Sequence, residues 1–210
     1  LIFSRKSSKI ALGGENMVKT TAILREELNN YINPTVKIRQ LVKKGELIRI
    51  VRGLYETDSS VQGYYLAPVI YGPSYLSFEF ALAYHSLIPE AVYNYTSATY
   101  EKKKAKRYDT PFGTFTYSDI PGNAYPVGVN LYKENGYGFW VASAEKAVCD
   151  ELYRISPLNN RSELLILLFE DIRIDEEVFG ELDLEELYNI SARYKTQNHG
   201  LLQSYLRRML

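Results

Sequence analysis

In "TTAILREELNN", Thr20 to Asn30, apolar residues fall at Ile23, Leu24 and Leu28, the spacing of one helix face. After "YIN", the run "PTVKIRQLVKKG" carries strong boundary signals. Asn33 suits an N-cap, Pro34 the first helical position and Gly45 a left-handed stop, so a helix is expected from Pro34 to Lys44. The next stretch, "ELIRIVRGLYET", is rich in β-branched residues and contains Arg52-Gly53, the pattern of a hairpin turned near Gly53.

Further on, "SVQGYYLAPVIYGPSYLSFEFALAYHSLIPE" reads as two short helices, the second opening at Ser77 with Glu79 in its first turn. "AVYNYTSAT", "RYDTPFGTFTYSDI" and "NGYGFWVAS" are aromatic and β-branched with Gly and Pro punctuation, which predicts a small sheet. "SAEKAVCDELYRI" is helical again, capped by Ser143, and from Arg161 to Leu210 the pattern stays helical. The expected class is therefore α+β. An N-terminal winged helix-turn-helix (residues 1–60) precedes a second domain (61–210), mixed α/β over 61–155 and helical over 156–210.

Composition sharpens this division. With 46% hydrophobic residues in 210, the chain can bury a core. Net charge is zero, yet residues 1–57 hold 11 Lys and Arg against 5 Asp and Glu, while residues 58–210 hold 14 against 20. A basic head on an acidic body is the charge distribution of a nucleic-acid module joined to another domain. Cys149 is the lone cysteine, which excludes an internal disulfide and a cysteine-based zinc cluster, and its apolar setting predicts a buried small hydrophobe. No apolar run is long enough for a membrane span, and "LIFSRKSSKI" lacks the apolar core of a signal peptide. A cytoplasmic protein without a cofactor is expected.

On a wheel of about 100° per residue, Pro34, Ile38, Leu41 and Val42 share one side of the second helix. Val36, Arg39, Gln40 and Lys43 share the other, flanked by Lys37 and Lys44. Arg and Gln can pair bidentately with guanine and adenine, while Lys37, Lys43 and Lys44 suit phosphate. In the hairpin, Ile48 and Ile50 can point inward together, turning Arg49 outward, with Arg52 at the turn. Helix, helix, glycine and arginine-tipped hairpin is the order of a winged helix, whose tip reaches a phosphate or the minor groove. Double-stranded DNA is the expected partner. Two blander readings stand beside it: a solvated basic face, or a winged helix that binds protein instead of DNA.

Other candidates carry less. "YEKKKAKRY" places Lys102, Lys103, Lys104, Lys106 and Arg107 in six positions between two expected strands, either a second nucleic-acid contact or a solvated loop. His85, at a helix end, is expected to pack or cap, and His199, before a glycine, to be exposed. The carboxylates from Glu170 to Tyr188 suit a negatively charged helical face. Glu145 and Lys146 match the acid–lysine end of some nuclease motifs, but without a preceding strand or the upstream Asp; Glu145 suits a first-turn acid. No metal-ligand spacing, P-loop, dinucleotide turn or nucleophile elbow appears, so no enzyme is expected.

Two stretches, "VKKGELIRIVRGLY" and "YGPSYLSFEFALAYHSLIPEAV", followed by "TPFGTFTYSDI" and "VASAEKAVCDELY", resemble the AbiEi-type antitoxin and transcriptional regulator family. That family shows a Gly-Thr-Phe-x-Tyr element and a Ser-Pro-Glu-Lys-Ala helix start; here Ala144 stands in place of the proline. The matches run in the family's order over roughly residues 20–155 and thin out after Arg154. The resemblance implies a winged helix that represses the promoter of its own operon, at inverted repeats. It implies a C-terminal domain that counteracts a nucleotidyltransferase-type toxin, without a stable complex, in a type IV toxin–antitoxin system of abortive infection against phage.

Overall fold

The computed structural model describes residues 18–210, and the chain divides into two compact units between Ser59 and Ser60. Arg5, Lys6 and Lys9, which add to the N-terminal basic charge, and the segment read for a leader lie outside the described residues.

In the first unit, strand β1 (Lys19–Thr20) leads into α1 (Thr21–Glu27), then α2 (Pro34–Lys43), β2 (Ile48–Val51) and β3 (Leu54–Glu56). The sheet order is β1-β3-β2, antiparallel throughout. Each helix starts where a side-chain oxygen satisfies a free backbone N–H. Thr20 Oγ1 accepts from the Ile23 amide (3.2 Å) and Asn33 Oδ1 from that of Val36 (3.1 Å). Gly45 ends α2 at φ +73° and Gly53 turns the hairpin at φ +90°, conformations in which a Cβ would be strained. Helix α2 stops at Lys43, with Lys44 as its cap residue, one short of the expected end.

Leu24, Leu28, Ile38, Leu41 and Leu47 form the buried core, with Val42 and Tyr55 packed against it. Leu47, just ahead of β2, thus does work that the alternation assigned to Ile48. A bulge between Arg49 and Val51 breaks the register, leaving Ile50 buried and Ile48 half-buried. The two-residue β1 had no readable signal; its Lys19 is buried and pairs with Glu27 at 2.7 Å.

The second unit opens with a 3₁₀ turn (Gly63–Leu66) running into α3 (Ala67–Ile70). Strand β4 (Tyr75–Leu76) and α4 (Phe78–Tyr84) follow, so the segment expected as two helices also contains a strand. Next come β5 (Asn94–Thr99), β6 (Lys106–Thr110), β7 (Gly113–Asp119), β8 (Val129–Glu134) and β9 (Tyr137–Ala142). The sheet is mixed, in the order β6-β7-β5-β4-β9-β8. Strand β9 alternates as its sequence suggests, with Tyr137, Phe139 and Val141 inward and Trp140 outward. Strand β8, paired with β9 at Leu131↔Trp140, was not foreseen because its mixed polar pattern is that of an edge strand.

Helix α5 (Ala144–Arg154) follows β9 directly. This corrects the expectation that Glu145 and Lys146 lack a preceding strand. After α6 (Arg161–Ile166), a π turn (Leu167–Asp171) leads to α7 (Glu176–Gly180), α8 (Leu184–Ser191) and α9 (Gln197–Leu206). The acidic stretch supplies helix starts here. Asp175 accepts from the amides of Glu177 and Val178, Asp183 from that of Glu186, and four glutamates occupy the first turns.

Every residue from Lys146 to Leu152 is buried, so α5 is enclosed on all sides, charges included. The Lys146 ammonium lies 3.1 Å from Asp150 and donates to the Ala124 carbonyl (3.0 Å) and to the Tyr194 hydroxyl. Asp150 also accepts from Tyr75 (2.9 Å), Ser77 (2.6 Å) and Tyr194. Burial pulls the Lys146 pKa down, opposed by Asp150, and pushes the Tyr75 and Tyr194 hydroxyls up.

His199, expected to be exposed, is 1% exposed within α9. Its ring stacks on Tyr194 at 4.2 Å, Nε2 donates to the Cys149 carbonyl (2.9 Å) and Nδ1 meets Thr196 Oγ1 (2.6 Å). Burial lowers its pKa to about 4. The following glycine suggested a loop, but Thr196 caps a helix that continues through Gly200.

Replacing Lys146 by Met leaves the Asp150 carboxylate buried without its counter-ion and is expected to cost about 3–5 kcal/mol. A urea midpoint within error of the parent would refute this. Glu151, also buried, is raised from 4.5 to about 7 by desolvation and by Glu79, against the opposing pull of Arg154. The folded state therefore favours the protonated acid. Its contribution is complete below the unfolded value of 4.5 and is lost as pH rises through about 7. Stability of E151Q relative to the parent should increase over that window, by up to about 3 kcal/mol; parallel stability–pH curves would contradict it.

Candidate nucleic-acid interface

The first unit sorts the residues of α2 by face. Ile38 and Leu41 are buried and Val42 is half-buried, while Val36, Arg39, Gln40 and Lys43 are exposed together. That division follows from the 3.6-residue period, because positions 36, 39, 40 and 43 share the stripe opposite the core. The stripe carries a methyl-bearing contact, a guanidinium, an amide and an ammonium, the side-chain set that reads base edges and phosphate in a major groove.

The flanking lysines differ. Lys37 is half-buried and holds its ammonium 4.6 Å from the centroid of the Tyr31 ring. Lys44 is exposed and lies 4.0 Å from the Glu46 carboxylate, a surface pair too weak to restrain it. In the hairpin, Arg49 and Arg52 are both exposed. Arg49 Nε approaches the Val51 carbonyl at 3.4 Å. The turn itself is fastened to α1, since the Gly53 carbonyl accepts from the Thr21 amide at 2.9 Å.

Two residues went unnoticed in the sequence. Tyr31 gives Lys37 its aromatic partner, and Ile32 stands fully exposed ahead of the Asn33 cap. An apolar residue at that position commonly packs against the fourth helical residue, which here is Lys37; the mismatch was readable and leaves Ile32 outside.

The other basic cluster belongs to the second unit. It was read as lying between strands, but Lys106 and Arg107 are in edge strand β6 itself. Lys102 donates to the Gly72 carbonyl (3.1 Å) over the Tyr71 ring, and Arg107 pairs with Asp109 at 2.9 Å. Lys103, Lys104 and Lys106 are exposed.

His85 is the cap residue of α4 and donates from Nε2 to the Ala142 carbonyl at 2.7 Å, a packing role. Cys149 is fully buried, and burial pushes its thiol pKa up. Among the described residues, no group of three or more His, Cys, Asp or Glu side chains is placed to hold a metal ion. Among the same residues, no helix is long and apolar enough to cross a membrane.

No family model and no curated protein match the chain. Its structure is similar to the crystal structure of the RV2827C protein from Mycobacterium tuberculosis, with a TM-score of 0.60 and 15% identity, over 90% of this chain and 70% of that one. Identity at that level speaks for a shared α+β fold alone.

Presentation of the α2 stripe depends on the Asn33 cap. Asn33→Ala is expected to destabilise the first unit by about 1 kcal/mol. Amide hydrogen exchange in residues 35–43 should rise with it; unchanged protection there would show that the cap does not hold the helix start.

Proposed function

We propose that the first unit is a winged helix-turn-helix that binds double-stranded DNA, with α2 in the major groove and the β2–β3 hairpin as the wing. One observation carries the reading: Arg39, Gln40 and Lys43 project from one stripe of α2 whose opposite stripe is the unit's core. The exposed Arg49 and Arg52 of the hairpin support it, since a tip of that charge suits an adjacent phosphate or minor groove.

The protein is then a repressor of its own operon and the antitoxin of a nucleotidyltransferase-type toxin, counteracting it without a stable complex. Support comes from the order of the family-like motifs and from the physical roles of two of them. The "GTFTY" element is strand β7 with Phe115 and Tyr117 inward. In "SAEKA", Ser143 caps α5 and Lys146 becomes the buried counter-ion of Asp150. Both motifs are structural, so they support kinship more than they explain neutralisation.

A second reading is favoured by the exposed apolar residues Ile23, Tyr31, Ile32 and Val36. A winged helix that docks on protein would use such a surface.

Binding to the DNA upstream of the chain's own gene, followed across salt, separates the two. The DNA reading expects log Kd to depend linearly on log salt. Replacing Arg49 and Arg52 by Ala should weaken binding and reduce that slope by about one unit per lost phosphate contact. Salt-independent or absent binding supports the protein-docking reading. The same double variant, co-expressed with the neighbouring toxin, should still protect the cells; loss of protection would show that neutralisation runs through DNA binding.

A further inference from the structure

Along the exposed stripe of α2 the side chains come in a fixed order from the amino end. Val36 lies in the first turn, Arg39 and Gln40 one turn on, and Lys43 at the last helical position. All four are exposed, Val36 to 43%. When a helix-turn-helix docks, the amino-terminal residues of its recognition helix meet the base edges. Val36 is thus the side chain of this stripe best placed to reach a base, while Lys43, two turns on, suits the phosphate backbone.

Two further observations bear on Val36. It is the third residue of the helix, where a glutamate would return a hydrogen bond to the amide of the cap residue. No acid occupies that first turn, so no carboxylate stands where it would repel phosphate. Val36 is also held more firmly than its neighbours on the stripe. Its amide donates to Asn33 Oδ1 at 3.1 Å, and a helical valine keeps one χ1 rotamer in about nine cases of ten. Its two methyls are therefore fixed in advance, whereas the longer side chains of Arg39, Gln40 and Lys43 must be ordered on contact. In the major groove, the apolar feature that a base pair offers such a group is the C5-methyl of thymine.

We infer that Val36 is a specificity-determining residue that packs its methyls on the C5-methyl of a thymine in the major groove. The inference rests on the DNA-binding reading and adds to it the base feature that α2 selects. Helix rise carries Arg39 and Gln40 about 4.5–6 Å further along the axis. At about 3.4 Å per base pair, the thymine then lies about one to two base pairs from the guanine or adenine with which those side chains can pair.

Duplexes from upstream of the chain's own gene, made with deoxyuridine in place of thymidine, lose only that methyl from each thymine. The full chain should bind the uridine duplex about fourfold more weakly, the worth of one buried methyl-sized group. Val36→Ala favours the helix and therefore folds. It should bind the thymidine duplex more weakly by a similar factor and no longer distinguish the two duplexes. Its salt slope should match that of the parent, because no phosphate contact is lost. The coupling between the two changes separates a direct contact from any altered groove shape in the uridine duplex. Equal affinity of the parent for both duplexes, or a uridine penalty as large in V36A as in the parent, would overturn the inference and leave DNA binding in place. Absence of salt-dependent binding of the parent to either duplex would overturn the DNA reading, and this inference with it.

Discussion

The second unit depends on one buried carboxylate. Asp150 collects hydrogen bonds from Tyr75 on β4, Ser77 at the mouth of α4 and Tyr194 after α8, and pairs with Lys146 one turn back on its own helix. Lys146 adds the Ala124 carbonyl between β7 and β8. Three segments distant in sequence, around residues 75–77, 124 and 194, are thus fixed to the centre of α5. An ion pair in an apolar interior returns its desolvation cost only when the remaining donors and acceptors are also satisfied. Here they are, which makes the arrangement of the central strand β4, α4 and the C-terminal helices mutually dependent. His199 extends the order by stacking on Tyr194 and donating to the Cys149 carbonyl.

The first unit works by contrast in geometry rather than in charge. Its core is five aliphatic side chains, and its polarity is pushed to one stripe of α2 and the tip of a hairpin. Caps at Thr20 and Asn33 and left-handed glycines at positions 45 and 53 set where each element begins and ends. The DNA contact proposed for α2 would need this separation. Side chains that contact bases cannot also hold the fold, and a helix buried on one face presents the other without further support.

Legibility followed locality. The α2 boundaries, the α5 start at Ser143, the glycine turns and the exposed Arg39–Gln40–Lys43 stripe all depend on neighbours within a few residues, and all were readable. Strand β4 was missed because two residues carry no period, and β8 because an edge strand is polar. The bulge at β2 moved an inward position from Ile48 to Leu47, a change that no alternation can announce. Lys146 drew notice only beside Glu145, as the end of a nuclease-like motif, and its buried partner Asp150 drew none. His199 read as exposed beside its glycine, although its environment comes from residues some fifty positions away.

By itself, the sequence determined the bounds of α2, the start of α5, the glycine turns and which side of α2 is apolar, because helix period, cap chemistry and glycine turns act within a single turn of chain. Only the tertiary structure decided that a lysine, an aspartate, two tyrosines and a histidine lie inside, and that Ser74, Tyr75, Tyr125 and Trp140 wall one cleft. Burial of a charge is settled by the partners that reach it. In this chain those partners arrive from β4, from the loop after β7 and from the C-terminal helices.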